Sequence, residues 1–288
     1  LAIGDVVTLD VQTTSGNLDP VAAVFDSNED VHGFNDDRST TPADLNPRLE
    51  VQIRGAPGEF FVAVAPFPSS GTSGDYRVSV EVTRGGSAQT NPQSVFLNWA
   101  GGKDVTIENV GTFDLDPFDA ADVGLSTADT GRFKDEVQAY IASRYKGYAL
   151  TLLNSDDDAV PSSPHSTVYF GGRSLRAFAI SEQIDTQNAD PTDNAIVFVE
   201  SFRDAFGRTP SFDELVTAVG NTTAHEIGHL LGLIHTRECS SLMDTTCGNA
   251  SILVEQSFMR APLDSSVFPV GFQNAVSLVE WTLGLAGI

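Results

Sequence analysis

Lysine is nearly absent from this chain. Its 288 residues contain three, Lys103, Lys134 and Lys146, and 16 basic side chains face 39 acidic ones, for a net charge of −23. A surface of that sign repels phosphate backbones and anionic headgroups, which excludes nucleic acid and the membrane surface as natural partners. Long apolar runs are missing as well: none approaches the roughly 20 residues that cross a bilayer. The 41% hydrophobic content still suffices for a buried core at this length. Cysteine and methionine occur twice each and histidine five times, so a disulfide-dense scaffold is excluded and any clustering of these scarce types carries information. The chain opens on Leu1 with no basic stretch leading into an apolar one, so a secretion signal is expected to lie outside this sequence. Aspartate is twice as frequent as glutamate. That excess fits plain solubility, hydration in salty water, or calcium binding through carboxylate oxygens.

Three of the five histidines fall in one string, His225-Glu226-Ile227-Gly228-His229-Leu230-Leu231-Gly232-Leu233-Ile234-His235. On a helix His225 and His229 stand one turn apart and point from one face at one ion. Glu226 is placed to reach a water on that ion without being a ligand. Gly232 permits a left-handed backbone that ends the helix and turns the chain, so that His235 arrives as a third nitrogen. Three protein ligands leave a tetrahedral zinc one open position, the arrangement of a catalytic site. A bare pair of histidines at this spacing is often only helix surface; here the positions between are mostly apolar, as in a helix buried behind a site. Eight residues on comes Met243, one of two methionines.

Cys239 and Cys247 bracket Met243. A disulfide is the favoured reading, pinning the loop around the methionine; reduced thiols or metal ligation are the alternatives.

Along the chain, residues 1–84 alternate with period two: Val7, Leu9, Val11; Leu49, Val51, Ile53; Tyr76, Val78, Val80, Val82. This pattern predicts strands with one face buried and one wet, while the runs Val21–Phe25 and Phe60–Ala65 suit central strands. Turn residues between them suggest a β-sandwich. Residues 85–93 are polar, rich in Gly and Ser and without period, the expected linker. Residues 94–288 predict a second, α/β domain. Its expected strands are 94–99, 149–153, 167–170, 176–180 and 195–200. A helix is expected over 130–145, and another opens at Ser211 with Glu214 as its capping box and carries the histidine string, with an interruption near Gly220-Asn221. A last helix is expected within 273–283.

The histidine string is the extended H-E-x-x-H-x-x-G-x-x-H signature, and with Met243 as a Met-turn it resembles the metzincin zinc peptidases, bacterial matrixin-like members above all. The likeness covers residues 94–288. It implies a zincin-like domain with a mixed twisted sheet, motif helix, Met-turn and C-terminal helix. Residues 1–84 resemble the bacterial pre-peptidase C-terminal domain through Asp19–Asp26, Asn35-Asp36-Asp37, Phe60–Ala65 and Gly74–Val78; that family accompanies secreted peptidases and usually follows the catalytic domain, whereas here it precedes it.

The resemblance implies that His225, His229 and His235 bind Zn²⁺ and that Glu226 is the general base which passes a proton from water to the leaving amine. Met243 packs beneath the histidines without coordinating. The implied activity is secreted endopeptidase, acting on a protein or peptide laid along an edge strand, with residues 176–180 as the candidate edge; a monomer is the working expectation. A non-catalytic adhesion protein on the same fold is the competing function, and it would have no need of Glu226. Three departures stand out. Thr245 occupies the position where some metzincins carry a ligating tyrosine, no cysteine precedes Cys239 to act as a latch, and Asp244 replaces the usual small residue or proline.

Calcium is a further candidate. Asp26, Asn28 and Asp30 alternate like the first ligands of a calcium loop, with Asn35, Asp36 and Asp37 close behind. An EF-hand would need Gly and Glu where Val31 and Asp37 stand, so a polar hairpin turn is the alternative. Asp185, Asp190 and Asp193 in loop 181–193 offer a second such place, where a plain acidic loop is preferred.

Overall fold

The computed structural model describes residues 1–40, 42–108 and 110–287. The N-terminal part is all β: β1 (Val6–Thr13), β2 (Pro20–Asp26), β3 (Val31–Asn35), the short β4 (Ser39–Thr40) and β5 (Ala43–Asp44), β6 (Arg48–Gln52), β7 (Phe60–Pro66) and β8 (Tyr76–Thr83). They form two three-stranded antiparallel sheets, β6-β1-β8 and β3-β2-β7, plus the β4-β5 ribbon. The alternation in β1 and β6 does what it predicts: Val7, Leu9, Val11, Leu49 and Val51 meet Ala22 and Val24 in one core.

β2 is the layer shared by the whole molecule. Ala22 and Val24 face that first core, whereas Val21, Ala23 and Phe25 join the core of the C-terminal part. This explains why the run carries no alternation: both faces are covered. Phe25 and Phe34 both pack on Phe268, with ring centroids 5.5 and 6.4 Å apart. β8 departs from expectation. Tyr76, Val78 and Val80 are exposed, because β8 is an edge strand with no sheet laid over its apolar side.

The linker residues are irregular but not loose. Gln89 donates its backbone N–H to Gln52 Oε1 (2.8 Å), and Asn91 Nδ2 donates to the carbonyls of Gln187 (2.9 Å) and Asn188 (3.1 Å).

The rest is an α/β unit. β9 (Gln93–Asn98) leads to a hairpin of β10 (Gly102–Ile107) and β11 (Gly111–Leu115), then α1 (Thr130–Arg144), β12 (Leu150–Asn154), β13 (Ser166–Phe170), β14 (Ala179–Ser181), β15 (Asn194–Val197), α2 (Phe212–His229), β16 (Arg260–Pro262), β17 (Phe272–Asn274) and α3 (Ala275–Leu283). The main sheet has the order β12-β9-β13-β15-β14, parallel except for β14. Successive residues of β15 divide between its faces: Ala195 and Val197 meet the helices, while Ile196 meets Val105, Ile107 and Leu115 of the hairpin. The expected five-residue strand over 176–180 shrinks to the three residues of β14, and the stretch after Val197 becomes a 3₁₀ turn.

α2 starts where the capping box puts it. Ser211 Oγ accepts the Glu214 N–H (3.2 Å) and Glu214 Oε2 accepts the Ser211 N–H (2.8 Å). The expected interruption at Gly220-Asn221 does not occur, and the helix runs unbroken to His229. Gly220 serves packing instead: a Cβ there would lie 2.4 Å from the Tyr140 ring of α1. Among the described residues no helix is long and apolar enough to cross a membrane.

Candidate metal centre and cleft

The last turn of α2 brings His225 and His229 to one side, and the chain beyond it returns His235. His229 Nε2 lies 3.0 Å from both His225 Nε2 and His235 Nε2. The reversal depends on Gly232, whose φ is +90°. A Cβ there would also sit 2.9 Å from Asp185 O, Gln187 N and Thr186 Cα, so glycine is required twice over, by conformation and by space.

The opposite edge of each ring on α2 is held by a backbone carbonyl: His225 Nδ1 lies 2.7 Å from Leu242 O, and His229 Nδ1 lies 2.8 Å from Leu233 O. These contacts assign the proton to Nδ1 and leave bare Nε2 lone pairs converging on one point. Burial keeps the imidazoles neutral, and the effect is largest where the rings also repel one another; His235 is held down to about 3. Neutral lone pairs aimed at one another are unfavourable unless a cation lies among them. A tetrahedral zinc with bonds of about 2.0–2.1 Å would space its nitrogens by about 3.3 Å, close to what the rings already adopt. The donor set therefore fits zinc. Among the described residues these three histidines alone gather three metal-binding side chains.

Glu226 is buried beside them. Burial pushes its carboxyl up to about 8, opposed by hydrogen bonding from the side chain and backbone of Ser181. Ser181 ends β14, the edge strand, so Glu226 and the edge meet at one place. Sequence reasoning did not single out Ser181, whose role appears only when β14 is laid against α2.

Met243 is fully buried and lies against the motif helix. A Cβ on Gly228 would come within 2.8 Å of its Sδ, which accounts for the glycine in the middle of the signature. The Cys239–Cys247 disulfide is formed, with Cα atoms 5.4 Å apart. Asp244 now has a role: Oδ1 accepts the Thr246 hydroxyl (2.7 Å) and Oδ2 accepts the Cys247 N–H (3.1 Å). The carboxylate caps the turn that leads into the disulfide. Thr245 points instead to Asp264, with Oγ1 3.3 Å from Oδ2.

Two cavities flank Glu226. One, of about 320 Å³, is walled by His225, Asn221, Cys247, Ile252 and Arg176. Asn221, which the sequence marks only as part of an expected helix interruption, builds that wall: its Nδ2 donates to Ile252 O (3.0 Å) and Val254 O (2.8 Å), and its Oδ1 accepts the Tyr140 hydroxyl (2.6 Å). The other, of about 720 Å³, runs from His229 and His235 past Ser181–Ile184 to residues 34–39 of the N-terminal part.

The calcium expectation finds no support. Asp26 Oδ1 accepts the N–H groups of Asn28 (2.8 Å) and Asp30 (3.0 Å) as a turn cap. Asp30 pairs with Arg260 at 2.8 Å, and Asp36 accepts the Asp37 N–H at 3.0 Å. The alternation of Asp26, Asn28 and Asp30 is that of a hairpin turn, the polar alternative; Asp36 and Asp37 belong to the cleft wall.

No protein-family model matches the chain, and no curated protein matches it. Similar solved structures include a zinc-dependent peptidase from Methanocorpusculum labreanum, at 12% identity over 56% of this chain and 93% of that one, with a TM-score of 0.32. Another is an archaemetzincin from Methanopyrus kandleri, at 9% identity over 65% of this chain and 93% of that one, with a TM-score of 0.35. Identities and TM-scores this low do not establish a common fold.

Proposed function

We propose that the protein is a secreted zinc endopeptidase of the metzincin type, matrixin-like, organised as a sandwich (1–84) resembling the pre-peptidase C-terminal domain, a linker (85–93) and a catalytic domain (94–288). His225, His229 and His235 hold the zinc and Glu226 is the general base. The observation that carries this reading is the convergence of three neutral imidazole nitrogens on a point beside a buried glutamate, at the free edge of a sheet. Bound there, zinc would acidify a water toward a pKa of about 7 and polarise a carbonyl oxygen.

The chain's own residues supply the rest. The carbonyls of Leu242 and Leu233 orient two of the rings. β14 offers its unpaired edge to an extended peptide, which adds antiparallel to it and so brings one carbonyl over the metal point. Glu226 accepts the proton released as water attacks that carbonyl and returns it to the departing amine. Its buried position keeps bulk water from competing for that proton. Met243 and the disulfide loop hold the floor beneath the rings. The disulfide supports an oxidising, extracellular setting.

A binding protein that no longer cuts gains nothing from a buried glutamate at this point, and no observation favours it. The test is proteolysis of casein with and without a zinc chelator, alongside Glu226→Ala. Cleavage that requires metal and is lost in the variant, with zinc retained, supports the proposal; unchanged cleavage by the variant refutes it.

A further inference from the structure

The larger cavity is unlike the rest of the cleft in charge. Besides Glu226, its wall carries five carboxylates, Asp36, Asp37, Glu108, Glu182 and Asp190. Among the described residues none of the five lies within ion-pair distance of a cation. The one cation on the wall, Arg38, is already committed, 2.9 Å from Asp10 and 3.8 Å from Asp44. The cavity on the other side of Glu226 is closer to balanced in charge. There, Glu226 apart, a single carboxylate, Asp244, faces a single cation, Arg176. An acidic surface of uniform density, which the net charge of −23 would lead one to expect, does not produce this gradient across a single glutamate.

Two of the acidic groups, Asp36 and Asp37, come from the loop that follows β3 in the N-terminal part, and they crowd each other. Burial, followed by repulsion from Asp36, Asp19 and Asp44, pushes the Asp37 carboxyl up to about 6. Crowded, partly desolvated carboxylates without a counterion are relieved by an incoming cation. A peptide running antiparallel to β14 places the residues N-terminal to its scissile bond opposite Ser181–Ile184, at this acidic end.

Resting on the peptidase reading above, we propose that the cleft selects peptides carrying lysine or arginine on the N-terminal side of the scissile bond, and that Asp36 and Asp37 of the N-terminal part supply the recognition. The sandwich is then part of the substrate site.

The test uses the full chain and two quenched fluorescent peptides of one sequence, with lysines or with glutamines N-terminal to the cut. The lysine peptide should be cleaved with a kcat/KM about tenfold higher in low salt. The ratio should shrink toward one as salt rises to about 0.5 M, where screening is strong, and should fall in an Asp36→Asn/Asp37→Asn variant. Asp37→Lys should turn the preference toward a glutamate peptide. Equal cleavage of the two peptides by the wild type, a preference insensitive to salt, or the same ratio in the double variant each overturns the inference while leaving the peptidase reading intact. Failure to cleave either peptide or casein removes the peptidase reading, and this inference with it.

Discussion

Gln187 pairs with Gln52 as a strand residue pairs with its neighbour. Its Nε2 donates to Gln52 O at 2.8 Å and its Oε1 accepts the Gln52 N–H at 3.0 Å. Gln187 lies in the loop that Gly232 packs against; two residues earlier Asp185 donates its N–H to His229 O at 2.9 Å. The N-terminal sheets therefore brace the segment that backs the three histidines. Gln187→Ala removes both bonds and should cost about 1–3 kcal/mol of stability, with weakened zinc retention. Denaturant unfolding and a zinc-competition titration read the two effects, and a change in neither would show the brace to be idle.

The same continuity changes what truncation should do. The period-two pattern of residues 1–84 predicts a unit that separates cleanly. The structure instead buries Val21, Ala23 and Phe25 in the core of the C-terminal part. A chain beginning at Asn91 should lose that cover, bind an apolar dye and melt several degrees lower. Full-length stability in the shortened chain would contradict the shared core.

Gly232→Ala should be severe. It forces a side chain into a left-handed backbone and against Asp185 O and Gln187 N, at a cost of at least about 2 kcal/mol. Since His235 follows this turn, zinc affinity should fall with it. Isothermal titration with zinc reads the change, and a variant of unaltered affinity would show that the turn does not deliver His235.

Asp193 makes stability depend on pH. Burial pushes its carboxyl up to about 8, aided by Asp185, Asp190 and Glu182 and opposed by the Ser166 hydroxyl. The folded chain keeps a proton that the unfolded chain releases near the ordinary value of 3.8. This contribution is therefore present in full below that value and is lost as pH rises through about 8. Thermal melts from pH 4 to 8 should slope downward, and Asp193→Asn should flatten the slope and be the more stable protein above neutrality. An identical slope in the variant would show that Asp193 is ionised throughout.

Much of the candidate site was legible because its determinants are local. The histidine spacing, the capping box from Ser211 to Glu214 and the two cysteines around Met243 each act over a few residues, and the structure arranges them accordingly. What escaped reading depends on distant pairings. The alternation in β8 looked like that of β1, but alternation records which side is apolar and not whether anything covers it. Asp36 and Asp37 looked like calcium ligands in a run of acids; their place on the wall of the cavity that also reaches His229 and His235 follows only from how β3 is docked. The need for glycine at 228 likewise follows only from Met243, whose Sδ a Cβ there would approach to 2.8 Å.

The central claim is that three histidines hold a zinc and Glu226 uses it to cut peptides. The most direct measurement pairs zinc content by atomic absorption with kcat on a fluorogenic peptide, for the wild type, Glu226→Gln and His229→Ala. One zinc per chain is expected in the first two and little in the third, with full turnover in the wild type alone and Glu226→Gln down by at least about a hundredfold. A Glu226→Gln enzyme that cleaves at the wild-type rate, or a His229→Ala protein that keeps its zinc, would contradict it.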